Sequence, residues 1–219
     1  MKIPDTWTFK TDEVAQHFDE HVREQLPWYD ELTEMVTIIA RHHMPEGGTV
    51  YDIGASTGNL GAHLADSIAQ RRVRWIGVDN SEAMRPLNRA AGEFIVQDAT
   101  LVRYEPFDLA VCFLSIMFFP VESRRAWLES LFDKCKPGGA IIVIDKEQAD
   151  GGTLSTAIHR YVMATKIRKG TSPADVLRKE TALCGIQNPL PRDFFRALPA
   201  REFFRFGDFA GWIIEKPET

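Results

Sequence analysis

The chain has 219 residues, 44% of them hydrophobic and 26% charged, the make-up of a soluble fold with a packed core. With 31 Asp and Glu against 26 Lys and Arg, the formal charge is −5, so no overall field draws it toward nucleic acid. No apolar run approaches the roughly 20 residues that cross a bilayer, and Met1-Lys2-Ile3-Pro4-Asp5 lacks the apolar centre of a secretory signal. Cys112, Cys135 and Cys184 are widely spaced, with no zinc pattern and no disulfide framework. A reduced, cytoplasmic protein without a metal centre or membrane partner is expected.

Val14, Phe18, Val22 and Leu26 recur at helical spacing and stop at Pro27, and Leu32, Met35, Val36, Ile39 and Ala40 mark a second helix ending near Met44. From Thr49 the pattern changes. Short β-rich runs at Thr49–Ile53, Arg74–Val78, Glu93–Val96, Leu109–Phe113 and Ala140–Asp145 alternate with helical stretches at Leu60–Gln70, Glu82–Ala91 and Glu122–Lys136. Such alternation predicts an α/β fold, a mostly parallel sheet with helices on both faces. Two more helical stretches, near Thr153–Arg168 and Pro173–Cys184, precede Glu202–Phe206 and Phe209–Glu215, which only Gly207-Asp208 separates; that pair should be an antiparallel hairpin. The domain reading is a helical cap over 1–48 and an α/β domain over 49–219, with a helical insertion at about 151–198.

The sharpest chemical signal is Asp52-Ile53-Gly54-Ala55-Ser56-Thr57-Gly58, an acidic strand end followed by a small-residue turn that opens a helix. Glycine lets a backbone approach a ligand closely, and a helix N-terminus presents free N–H groups. The spacing Gly-x-x-x-Gly differs from the G-x-G-x-x-G of dinucleotide folds. The second strand ends in Asp79-Asn80-Ser81, where a carboxylate can accept from both ribose hydroxyls. Asp98-Ala99 after the third strand places another carboxylate within reach of an adenine amine.

On these fragments the chain resembles the class I S-adenosylmethionine-dependent methyltransferases from about Thr49 to Ile144. The resemblance implies a Rossmann-like, mostly parallel seven-stranded sheet with an antiparallel last strand. It implies S-adenosylmethionine as cofactor, with Gly54, Ala55 and Ser56 at its methionine end, Asp79 on the ribose, Asn80 beside the adenine and Asp98-Ala99 on the adenine edge. Asp52 and Gly58 complete that set.

A second resemblance runs nearly end to end. Trp7-Thr8-Phe9, Val14-Ala15-x-x-Phe18, Leu26-Pro27-Trp28-Tyr29, Asp79-Asn80-Ser81-x-Ala83-Met84 and Lys179-x-x-Ala182-Leu183 resemble the carboxy-S-adenosylmethionine synthases. That family makes a carboxymethyl donor from S-adenosylmethionine and prephenate for tRNA wobble uridine, and is oligomeric, which implies carboxy-S-adenosylmethionine as ligand and a homodimer. Tyr29 would close over the cofactor. Two positions depart from it: the arginine after the family's lysine is Glu180 here, and its fourth-strand asparagine is Cys112. Arg178 or Lys179 are the cations that could replace that arginine by a one-residue shift.

The function expected is therefore one-carbon transfer from S-adenosylmethionine to an unidentified acceptor. The alternatives are carboxy-S-adenosylmethionine synthesis and a non-catalytic cofactor-binding partner protein. No catalytic dyad is visible, and none is required, because a sulfonium is already activated. His42, His43, His63 and His159 have no catalytic spacing. Arg160, Lys166, Arg168, Lys169, Arg178 and Lys179 read as a solvated helical face or as a site for a phosphate-bearing acceptor, and Phe113–Phe119 as core packing or, as the alternative, the lining of an acceptor pocket.

Overall fold

The computed structural model describes residues 7–218. Three helices open it, α1 (Asp12–Gln16), α2 (Phe18–Gln25) and α3 (Tyr29–His42). A single helix over the first apolar stripe is not what forms. The His17 ring pairs through Nδ1 with the Glu13 carbonyl at 2.8 Å, the acceptor that the next helical turn would have used, and the His17 N–H turns instead to Ala15. The helix breaks there.

Strands β1 (Thr49–Ile53), β2 (Arg74–Asp79), β3 (Glu93–Val96), β4 (Phe107–Phe113) and β5 (Cys135–Lys146) are parallel, and β6 (Ala200–Phe206) and β7 (Phe209–Glu215) form the closing hairpin. The sheet order is β3-β2-β1-β4-β5-β7-β6, with β7 antiparallel to β5. This is the expected mixed sheet, and between the parallel neighbours β1 and β4 the strand order reverses, the point at which open α/β sheets bind ligands.

Alternation along each strand divides the core into two layers. Val50 of β1 and Leu109 and Val111 of β4 pack under α3 through Leu32, Val36 and Ala40. Tyr51 and Ile53 face the other way, toward Trp127, Leu128 and Leu131 of α6 (Arg124–Lys134). The expected helix over Leu60–Gln70 is two, α4 (Asn59–His63) and α5 (Ala65–Gln70), turning at Leu64 so that Leu60, Leu64 and Ile68 all reach one core. Glu82–Ala91 is not an α-helix. It is a 3₁₀ turn over Glu82–Leu87, because Pro86 has no N–H to donate and obstructs an α-helical interior.

The remaining helices are α7 (Gly152–Arg168) and α8 (Pro173–Ala182). α7 buries none of its 17 residues. No helix among the described residues is long and apolar enough to cross a membrane.

Candidate functional site

The carboxyl ends of β1, β2 and β4, with the turn after β3, surround a cleft of about 160 Å³. Its floor is the turn after β1. Gly54 lies at φ 81°, and a Cβ there would stand 2.6 Å from the Ser115 Cβ, so only glycine lets these two segments approach. The N–H groups of Gly54 and Ala55 both donate to the Val78 carbonyl, at 2.8 and 3.1 Å, which locks the turn to β2. Ser56 adopts φ 48° and donates its N–H to Asp79 Oδ2 at 2.9 Å.

Asp79, the last residue of β2, also accepts from the Ser81 N–H through Oδ1 at 2.9 Å. Burial raises its carboxyl above the usual range, and the backbone donors oppose that rise. Asp52 differs. It sits one strand over, 3% exposed, and among the described residues none donates a hydrogen bond to it. Burial, with the charge of Asp79 as a second cause, pushes it up to about 7. Asp98 accepts from the N–H and hydroxyl of Thr100 through Oδ1, at 2.9 and 2.7 Å, which leaves Oδ2 open. The three carboxylates all line the cleft, as do Ala55, Asn80 and Ala99.

Residues 50–139 match the family model for a methyltransferase domain. The chain is 29% identical to a carboxy-S-adenosyl-L-methionine synthase of Staphylococcus epidermidis, over 97% of this chain and 98% of that one. Among solved structures, an O-methyltransferase family protein from Burkholderia thailandensis shares the fold with a TM-score of 0.57 at 16% identity, covering 93% of this chain; this chain spans 59% of that longer one. The plantazolicin methyltransferase, solved in complex with SAH, shares it with a TM-score of 0.58 at 12% identity, over 94% of this chain and 95% of that one.

The cleft is roofed by the N-terminal helices. Tyr29, the first residue of α3, is buried edge-on against Phe113 with ring centroids 5.4 Å apart, and its hydroxyl accepts from Asn59 Nδ2 at 3.4 Å. Burial holds that hydroxyl protonated well above the usual tyrosine range. Asp19 of α2 accepts from Thr57 Oγ1 at 2.6 Å and pairs with Arg89 at 2.7 Å, tying the roof to the turn after β1.

Other residues singled out in the sequence lie elsewhere. Gly58 caps α4 at φ 73°, where a Cβ would meet Asn88 Oδ1 and the Ala90 nitrogen at 2.8 Å; it shapes the turn and does not line the cleft. Cys112 is fully buried in the core beneath the sheet tip, and burial raises its thiol well above the usual value.

Arg178, Lys179 and Glu180 lie on α8, outside the lining of the cleft. Arg178 pairs with Asp175 at 2.7 Å on the surface. Lys179 borders a separate cavity of about 260 Å³, 4.3 Å from the Trp7 ring and against His21 Nε2; burial first, then Lys166, pushes it down to about 7. Glu180 pairs with Lys166 at 3.0 Å, and burial there is outweighed by Lys166, Lys146 and His159, which hold its carboxyl low. None of His42, His43, His63 and His159 lines the cleft.

Sequence reasoning missed part of the lining. Phe18 looked like one more core position of an apolar stripe, yet it faces the cleft with Phe9. Phe113–Phe119 divides between its two readings: Ile116 and Met117 are buried in the core, whereas Phe113, Leu114, Ser115, Phe118 and Phe119 line the cleft. Leu114, at φ 58°, is the available signal only after folding, since no turn residue marks it in the text.

Proposed function

We propose that the cleft binds S-adenosylmethionine and that the protein transfers its methyl group to an acceptor. Charge carries this reading. Asp52, Asp79 and Asp98 line the cleft, and among the described residues no Lys, Arg or His does. Buried carboxylates without a counter-ion are costly and fit a cationic ligand. S-adenosylmethionine carries both a sulfonium and an ammonium.

The residues present fit it in detail. Asp52, without a protein donor, faces the ammonium group. The Gly54 cradle admits the methionine end without a side-chain obstruction. Asp79, fixed by two backbone donors, accepts from the ribose hydroxyls, and Asp98 Oδ2 accepts from the adenine amine. When bound, the cofactor supplies an activated methyl group. The chain's own part is to hold the reacting atoms in line and exclude water, which the Phe9, Phe18 and Tyr29 roof supports. Residues 1–48 act as a cap and about 151–198 as an insertion.

The near full-length likeness to a carboxy-S-adenosyl-L-methionine synthase supports a second reading, in which the product is a carboxymethyl donor for tRNA modification, made by a cytoplasmic homodimer. Leu154, Tyr161 and Ile167, exposed on α7, are apolar surface available for such a contact. Against it stands Glu180, a carboxylate already paired with Lys166, where that family has arginine. No cation in the lining would hold a further carboxylate.

Mass spectrometry of the nucleoside that co-purifies with the protein tests both. S-adenosylmethionine or its demethylated product is expected. A species heavier by one carbon dioxide would move the conclusion to the second reading. Bound cofactor with no turnover of any acceptor would leave a binding protein, and no bound nucleoside with no measurable affinity would overturn all of these.

A further inference from the structure

The cleft, at about 160 Å³, is about half the roughly 300 Å³ at which sites for ligands as large as S-adenosylmethionine begin. Part of its wall must therefore move outward to admit one. The turn after β1 is locked to β2 by its own N–H groups. The segment from Ser115 to Pro120 is pinned by the buried Arg124, which donates to the Met117 and Phe119 carbonyls, both at 3.0 Å. α3 is fixed too, since its Leu32, Val36 and Ala40 are at most 1% exposed in the main core. Residues 7–25 remain, and they supply Phe9 and Phe18 to the roof.

Those residues are attached differently from α3. Their apolar contact is a small cluster of its own, Trp7 and Val14 against Ala182 of α8, apart from both layers of the main core. Polar clasps add to it. Ser81 Oγ donates to the Phe9 carbonyl at 2.6 Å, Asp19 accepts from Thr57 and Arg89, and Arg23 donates to Asn59 at 3.3 Å. The last clasp is on α8. There the Trp7 N–H donates to the Ala182 carbonyl at 3.0 Å, and the Trp7 ring stacks on His21 with centroids 5.3 Å apart. Lys179 rests 4.3 Å from that ring and donates to His21 Nε2. At Leu26-Pro27-Trp28 the attachment changes: Leu26 is extended, ending α2, and Trp28 is buried among Phe204, Phe206 and Phe209. The Arg23–Asp30 ion pair spans this junction, exposed enough to contribute little.

We propose that residues 7–25 form a lid, hinged at Leu26-Pro27-Trp28, that swings out to admit S-adenosylmethionine and is latched shut from α8 by Lys179. This rests on the cofactor reading above. Two of the clasps start from cofactor turns: Thr57 lies in the turn after β1, and Ser81 gives its N–H to Asp79. A ligand that orders those turns favours closure, and closure lays Phe9 and Phe18 over it and excludes water. The latch acts at a distance. Lys179 does not line the cleft, yet it sets how readily the lid leaves it.

Hydrogen exchange followed by mass spectrometry, joined to the dissociation rate of S-adenosylhomocysteine, tests this. In the free protein α1 and α2 should exchange together, at least about tenfold faster than α3, with the boundary at residues 26–28. Saturating S-adenosylhomocysteine should slow both by about tenfold. Lys179→Met keeps an apolar stem and loses the donor. It should speed exchange in α1 and α2, and ligand dissociation, each about fivefold, and leave α3 and the sheet unchanged. Protection of α1 and α2 equal to that of α3 overturns the lid. Fast exchange confined to residues 7–11 is terminal fraying and overturns it as well. Unchanged dissociation from Lys179→Met overturns the latch. Should that variant fail to fold, the boundary and its response to ligand in the unaltered protein decide. If S-adenosylhomocysteine does not bind the unaltered protein, the cofactor reading fails, and the boundary in the free protein decides the lid separately.

Discussion

Two buried carboxylates, at the ends of β1 and β5, are treated in opposite ways. Glu147, just past β5 and 1% exposed, accepts from Trp212 Nε1 at 2.7 Å, from Arg205 at 3.0 Å and from Arg192 at 3.2 Å. Asp52, near the end of β1 and 3% exposed, accepts from none of the described residues. The first is a structural charge, satisfied from within. The second is buried at the fold's expense and left for a ligand to complete. Burial alone does not separate a structural carboxylate from a functional one; the difference lies in who supplies the donors.

The largest expected effect falls on the satisfied partner. Glu147→Ala leaves the Trp212 indole N–H without its acceptor and takes one carboxylate from each of two guanidinium groups, Arg205 keeping Glu202 and Arg192 keeping Asp150 and the Gln148 carbonyl. Because Arg192 and Arg205 keep about a third of their side chains in water, the loss should lie at the low end for a broken buried pair, about 3 kcal/mol in urea denaturation. Cofactor affinity should not change. If affinity falls as far as stability, the two regions are not independent.

Asp52→Asn should act in the reverse sense, raising stability by about 2 kcal/mol at pH 8 and weakening cofactor binding. The pH dependence follows from its raised value. The folded protein holds this proton more tightly than the unfolded chain, so the stabilisation is complete in acid and is lost as pH rises through about 4 to about 7. Asp145, also pushed up to about 7 by burial, contributes a similar slope, so the variant should remove only part of it. Cofactor affinity in the parent should rise over the same interval, as Asp52 ionises. A slope identical in parent and variant would show that Asp52 is not the group responsible.

Asp79→Ala should weaken cofactor binding by about 1–2 kcal/mol through lost charge-assisted hydrogen bonds, measured by calorimetry. Arg178→Ala should be the smallest effect of all. Its pair with Asp175 is half-exposed, and stability should shift by less than about 0.5 kcal/mol, with cofactor affinity untouched. A clear loss of affinity there would bring α8 back into the site.

Much of the cofactor half was readable before folding, because its chemistry is carried by contiguous text. A strand that ends in an acid, a glycine turn and a helix start are neighbours in sequence, and the turn's requirements are met locally. β1 is the span that its β-rich run predicted. The acceptor half was not readable in this way. Ser115 reaches the cleft only because Gly54 lies against it, a relation between residues 61 positions apart. The Asp19 clasp on Thr57 joins positions 38 apart, and no local signal announces it. Pro86, by contrast, was legible and underweighted: it shortened the stretch after β2 to a 3₁₀ turn.

The placement of β7 has a consequence for how the chain is made. β7 lies between β5 and β6 and pairs with residues 140–146. While residues 209–215 are still inside the ribosome, the run Ile141-Ile142-Val143-Ile144 has a bare edge on that side, rich in the residues that aggregate most readily. Nascent protein should therefore depend on chaperones until its final hairpin emerges, and stalled translation products should be far less soluble than the finished molecule.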